Sequence, residues 1–185
     1  MNRWHLKRAA VCVARGGVIA YPTEAVWGLG CDPYNASAVQ RILALKHRPA
    51  DKGLIVIAAR FEQLLPLIAP PSVALEKQLG HTWPGPVTWL LPARPGAPKW
   101  LRGRHPTLAV RVTAHPLAAA LCRVLNTPLV STSANPAGRP PARDAIQVRR
   151  YFPGAVDYIV PGSTGRLTRP TEIRDALTGG VVRAG

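Results

Sequence analysis

Acidic residues are scarce in this chain. Nine Asp and Glu stand against 24 Lys and Arg in 185 residues, a formal net charge of +15. That balance disfavours cationic partners and points to polyanions such as RNA, nucleotides or anionic membrane. The cations are spread along the chain rather than gathered in a tail, which fits a charged face on a folded domain. No run of about 18 apolar residues occurs, so no membrane-spanning helix is expected. The opening MNRWHLKRAA has neither an apolar core nor a cleavage site, so no secretory signal is read there and a cytoplasmic location is expected. Cys12, Cys31 and Cys122 lie far apart, form no CxxC pair and join no cluster at zinc spacing; they read as reduced thiols in or near the core. The histidines share no spacing of a metal site or triad, and no metal ligands are predicted; only His47, beside a group of cations, stands out. Familiar nucleotide and hydrolase fingerprints are also missing: there is no GxxxxGK[ST], no GxGxxG after a strand, no HExxH and no GxSxG.

What is present is enough apolar residue for a core, 47% against 18% charged, and 20 prolines with 16 glycines that imply many turns. Apolar periodicity predicts helices over 3–15, 36–47 (with Asn35 as N-cap), 61–68, 72–79, 116–125 and 142–151. Strands are predicted over 17–21, 54–59, 87–93, 107–112 and 128–133, with short ones at 156–160, 171–176 and 181–184. The mixture predicts one α/β domain over 1–185, a twisted mixed sheet flanked by helices. Trp83 and Trp89, around the rigid Pro84-Gly85-Pro86 turn, read as packing residues, and 96–106 as a mobile basic loop.

Four segments place polar groups at strand or helix ends, where open sheets keep their sites. In YPTEAVWGLGCD (21–32), Thr23 and Glu24 follow a strand, and Gly28 and Gly30 permit close backbone approach. In LKHRPADKG (45–53), Lys46, Arg48 and Lys52 flank a proline at a helix end. One such cation offsets the helix dipole; three together suit a phosphate clamp. Arg111 sits inside the apolar strand LAVRV and must meet a carboxylate, a phosphate or carbonyls. With so few acids in the chain, a ligand carboxylate is an attractive partner for it. STSAN (131–135) supplies small hydroxyl and backbone donors, either as a turn network or as a nucleotide cradle.

Taken in order, YPTEAVWGLG, KHRPADKG, WPGPVT, the strand arginine of AVR, STSANPAG and PTEIRDALTGGVVRAG resemble the YrdC/TsaC family of threonylcarbamoyl-AMP synthases in its short bacterial form. The blocks run from about residue 17 to 185. The resemblance implies a concave, positively charged face holding ATP and L-threonine. It implies that bicarbonate and threonine form a carbamate that attacks the α-phosphate of ATP and releases pyrophosphate, with Mg²⁺ accompanying ATP. By the same resemblance Thr23, Arg111, Ser131 and Thr171 are threonine contacts. Arg48, Lys52, Thr107, Ser133, Pro141 and Arg183 are nucleotide contacts, and Lys46 with Arg48 forms the catalytic clamp. The chain departs from two-domain members at Lys52-Gly53-Leu54 and Ile57, and from the usual Pro-Ser-Thr at Pro170-Thr171-Glu172.

The chemistry agrees. An anion attacking a polyanion needs charge neutralisation more than proton transfer, so a basic cradle without a His/Asp dyad is sufficient. The competing reading is a non-catalytic module for transfer RNA or double-stranded RNA. Arg111 and Thr23 discriminate, because an RNA groove needs no amino-acid pocket at its floor. RNA contact beside catalysis is expected through Arg102, Arg104, Arg139, Arg143, Arg149 and Arg150. The product is expected to pass to a downstream threonylcarbamoyl transferase.

Overall fold

The computed structural model describes residues 2–185. Helix α1 (Arg3–Ala14) is capped by the Asn2 side chain and buries Leu6, Ala9 and Val13. Strands β1 (Ile19–Pro22) and β2 (Trp27–Gly30) form a hairpin. Helix α2 (Ala36–Lys46) starts at an Asn35 cap and ends at His47 in the left-handed conformation, φ 49°. There follow β3 (Ile55–Ala58), α3 (Val73–Gly80), β4 (Val87–Pro92), α4 (Lys99–Arg102) and β5 (Thr107–Val112). The chain continues through α5 (Pro116–Leu125), β6 (Leu129–Ser133), α6 (Ala145–Tyr151), β7 (Tyr158–Ile159), β8 (Glu172–Asp175) and β9 (Val181–Arg183).

These strands make one mixed sheet in the order β7-β1-β2-β6-β3-β5-β4-β8-β9. The β1–β7, β3–β5 and β4–β8 pairs are parallel and the rest antiparallel. Because side chains alternate along a strand, the register assigns each residue to a face. One face carries Ala20, Leu29, Val56, Trp89, Val110 and Val130, buried with Val39, Ile42 and Leu43 of α2, Leu79 of α3 and Val148 of α6. The other face is covered only in part. Over Ile19, Tyr21, Ile57 and Leu129 lie Leu6, Ala9 and Val13 of α1 and Leu117, Ala118 and Leu121 of α5. The same face continues past these helices through Gly28, Ser131, Ser133, Ile55, Ala109 and Leu90, and that uncovered half is a cleft floor.

Three expectations are corrected. β2 is a strand, although two of its four residues are glycines of poor strand propensity; its backbone is held on both sides, by β1 and β6. Gly30 is there for packing, since a Cβ would lie 2.6 Å from the Val130 carbonyl oxygen. The predicted helix 61–68 is a single 3₁₀ turn, Phe61–Gln63, after which Leu64, Leu67 and Ile68 are buried without helical continuation. Residues 96–106 are a docked segment rather than a mobile loop. Leu101 is buried in the core, the Trp100 indole donates to the Pro33 carbonyl at 3.0 Å, and Gly103 packs so closely on Asp51 that a Cβ would meet its carbonyl at 2.2 Å. Trp83 and Trp89 pack in the core as expected, each with its indole N–H satisfied, by Val87 and Thr82 respectively.

Candidate active site

The uncovered half of the sheet, the hairpin turn and four connections enclose a cleft of about 460 Å³. Every residue proposed for ligand contact lines it except Lys46: Thr23, Arg48, Lys52, Thr107, Arg111, Ser131, Ser133, Pro141, Thr171 and Arg183. Residues scattered over more than 160 positions meet there because β6 inserts between β2 and β3, and β5 and β8 flank β4. Among the described residues no group of three or more His, Cys, Asp or Glu is arranged to hold a metal ion.

Arg111 is 3% exposed. The partner of its charge is internal: Nη2 donates to Glu24 Oε2 at 3.2 Å, and Nη1 donates to the hydroxyls of Thr88 at 3.0 Å and Thr171 at 2.9 Å. Of the partners expected for Arg111, a carboxylate, a phosphate or carbonyls, the structure supplies an internal carboxylate, so Glu24 neutralises the buried cation across the floor. Arg111 Nε has no hydrogen-bond partner. Thr23 turns its hydroxyl onto the Val26 carbonyl at 2.7 Å, closing the hairpin turn, while Ser131 is buried at the cleft floor.

A second group is cationic. Arg48 folds back so that Nε and Nη2 donate to the Gly53 carbonyl at 3.2 and 2.9 Å, shaping the loop that also presents Lys52. Arg183 Nη2 donates to the Thr171 carbonyl at 2.7 Å. Partial desolvation first, then the like charges of Arg111 and Arg48, lower the Arg183 pKa. Cations therefore crowd this cleft at an electrostatic cost that a bound polyanion would relieve.

Lys46 is placed differently. It is 5% exposed and does not line the cleft. Its ammonium donates to the carbonyls of Ser133 and Asn135, the latter at 2.8 Å, and to Asn135 Oδ1 at 3.3 Å. An ammonium has three N–H donors, and here all are used. Burial, then the charge of Arg48, lowers its pKa to about 8. Lys46 thus ties the end of α2 to the end of β6, the strand that carries Ser131 and Ser133, and to the turn that follows it.

The model for the Sua5, YciO and YrdC proteins, which carries the description telomere recombination, matches residues 12–185. The chain belongs to this family. It is 60% identical over 176 residues to the threonylcarbamoyl-AMP synthase of Nitrosococcus oceani, covering 95% of each chain. Its fold is similar to P. abyssi Sua5 complexed with L-threonine, with a TM-score of 0.89 and 35% identity over 95% of this chain. The chain spans 52% of that longer protein. It is also similar to E. coli YciO, with a TM-score of 0.85 and 28% identity, covering 100% of this chain and 90% of that one.

Several residues of the cleft region were not singled out from the sequence. Asn135 completes the Lys46 cage, and Thr88 and Thr113 satisfy Arg111 and Glu24. Arg102, expected outside the pocket, lines it together with His105, because α4 docks the 99–105 segment against the Lys52 loop. A threonine inside the apolar strand VTWLLP was the available signal for Thr88. His47, the histidine that stood out, is exposed at its cap and does not line the cleft. Among the described residues no helix is long and apolar enough to cross a membrane.

Proposed function

We propose that this chain is a threonylcarbamoyl-AMP synthase, condensing L-threonine, bicarbonate and ATP to threonylcarbamoyl-AMP and pyrophosphate for threonylcarbamoyladenosine modification of transfer RNA. The observation that carries the reading is the meeting, in one cleft, of a buried arginine ringed by hydroxyls and a group of crowded cations. The first suits an amino acid that carries a carboxylate and a hydroxyl. The second suits a triphosphate.

In the reaction, the threonine amine attacks bicarbonate carbon and water leaves, giving a carbamate. A carbamate oxygen then attacks the α-phosphorus, the bond to the bridging oxygen breaks, and pyrophosphate departs. No group of unusual basicity is required for the second step, because the nucleophile is already ionised. Thr23, Arg111, Ser131 and Thr171 serve the amino acid. Arg48, Lys52, Thr107, Ser133, Pro141 and Arg183 serve the nucleotide, and Lys46 acts through the loop it holds. The carboxylate nearest the arginine, Glu24, is already engaged, so Mg²⁺ would ride on phosphate oxygens and water rather than in a protein cage. When bound, the ion neutralises phosphate charge.

Transfer RNA or duplex RNA is proposed as a further contact of the exposed arginines Arg104, Arg139, Arg143, Arg149 and Arg150. A threonylcarbamoyl transferase in the cytoplasm is the proposed consumer of the product. Purely non-catalytic RNA binding is not favoured. The test is pyrophosphate release with each of ATP, threonine and bicarbonate omitted in turn. Release is expected only with all three together, and equal turnover after rigorous bicarbonate removal would indicate an ordinary aminoacyl-adenylate enzyme.

A further inference from the structure

Glu24 lies beneath the cleft, 7% exposed, and is not one of the residues that line it. A buried carboxylate is costly unless it is paired and hydrogen-bonded. Here both oxygens are engaged: Oε1 accepts from the Thr113 hydroxyl at 2.5 Å and Oε2 from Arg111 Nη2 at 3.2 Å. Burial opposes ionisation, but the charge of Arg111 and the Thr113 hydrogen bond outweigh it and hold the carboxyl below its usual range.

The backbone of Glu24 is pinned as firmly. Its carbonyl accepts from the Leu167 N–H at 3.2 Å, and that of Thr23 accepts from the Gly165 N–H at 2.9 Å. The approach is so close that a Cβ on Gly165 would stand 2.6 Å from the Glu24 carbonyl oxygen. The same segment is tied to the start of α5, where the His115 ring meets the Ser163 carbonyl at 3.1 Å. Glu24 is therefore a fixed point against which a long, flexible arginine can be set.

A guanidinium has five N–H donors. In Arg111 three have protein acceptors, namely Thr88, Thr171 and Glu24, so two remain, on Nε and Nη2. Nε is wholly buried, so the free donor left to the cleft that Arg111 lines is the one on Nη2, the same nitrogen that Glu24 holds. Of the three residues that hold the fork, only Glu24 carries opposite charge.

We propose that Glu24 is the positioning residue of the amino-acid subsite, holding Arg111 Nη2 so that its remaining donor is presented to the substrate carboxylate. Because the pair is neutral, the subsite recognises its ligand by a directed donor rather than by an excess of charge at the floor. The inference rests on the threonine reading of the cleft and adds to it a residue that never touches substrate.

Steady-state kinetics of Glu24→Gln, Glu24→Ala and Thr113→Val test it. Gln keeps the length and an acceptor oxygen but removes the charge, so the threonine KM should rise about 10-fold, against about 100-fold for Ala. Thr113→Val, which frees Oε1, should raise it by less than Gln does. The ATP KM should stay within about twofold in all three, a split that mere loss of core integrity would not give. A threonine KM that is unchanged or lowered in Glu24→Gln would overturn the inference, since freeing the Arg111 charge would then suffice for binding. Equal increases for ATP and threonine in parallel with lost thermal stability would also overturn it, leaving Glu24 as a core carboxylate. Should Glu24→Ala fail to fold, the Gln and Val variants carry the test. Absence of threonine-dependent pyrophosphate release in the parent would overturn the proposed activity, and this inference with it.

Discussion

Replacing Lys46 by methionine keeps most of the side-chain volume and removes the ammonium. Four acceptors then lose a donor: the carbonyls of Ser133 and Asn135, the Asn135 side-chain oxygen and, at 3.5 Å, the Ser133 hydroxyl. The Ser133 carbonyl retains the Asn135 N–H at 3.0 Å, so its loss is partial. A buried acceptor left alone costs about 1–3 kcal/mol, and the buried charge that disappears returns part of this. A net destabilisation of about 2 kcal/mol follows, which for a chain of this size lowers Tm by roughly 4–8 °C. The released strand end belongs to β6, which carries Ser131 and Ser133 into the cleft, so the chemical step should slow on the order of 10²-fold in single-turnover pyrophosphate release. The pH dependence supplies an independent sign. The folded pKa of about 8 lies below the ordinary 10.5, so between those values the unfolded chain holds the extra proton. Stability should therefore gain from this group as pH rises from about 8 toward 10.5, and Lys46→Met should lose that gain. A variant with unchanged Tm and unchanged amide protection over residues 131–135, yet a slowed chemical step, would refute the reasoning. Lys46 would then be reaching the phosphates itself.

Two other outcomes are expected. Arg111→Ala should weaken threonine binding by about 2–4 kcal/mol in calorimetry while ATP affinity changes far less; equal weakening of both ligands would make Arg111 a structural residue. Transfer RNA or duplex RNA should bind with a log–log salt slope near about −4, corresponding to roughly five phosphate contacts, and with little sequence preference. Charge reversal at Arg149 and Arg150, exposed on α6, should flatten that slope and leave pyrophosphate release intact, whereas a parent slope near zero would end the RNA proposal.

Local information was legible in the chain itself. The apolar spacing of Leu6 and Val13, the Asn35 cap, and the buried runs IVIA and TLAVRV depend on residues within a turn or two of one another, and those elements stand where they were expected. The candidate residues of the cleft were legible too, because hydroxyls after a strand and cations after a helix are exceptions to local pattern wherever they occur. Other features depended on partners far along the chain. β2 was hidden because its pairing energy comes from β1 and β6, while its own glycines argue against a strand. The partner of Arg111 is Glu24, 87 residues away, and no periodicity links them. Lys46, Arg48 and Lys52 look alike as a string of cations. Yet Lys46 ends a helix with its side chain caged by a loop some 87 positions later, while the other two follow the helix break and reach the cleft. The sequence alone determined which groups could bind an amino acid and a triphosphate. Only the tertiary structure decided which of them face the ligand and which hold the others in place, because burial and hydrogen-bond partnership are properties of the packed sheet, not of the neighbours in the chain.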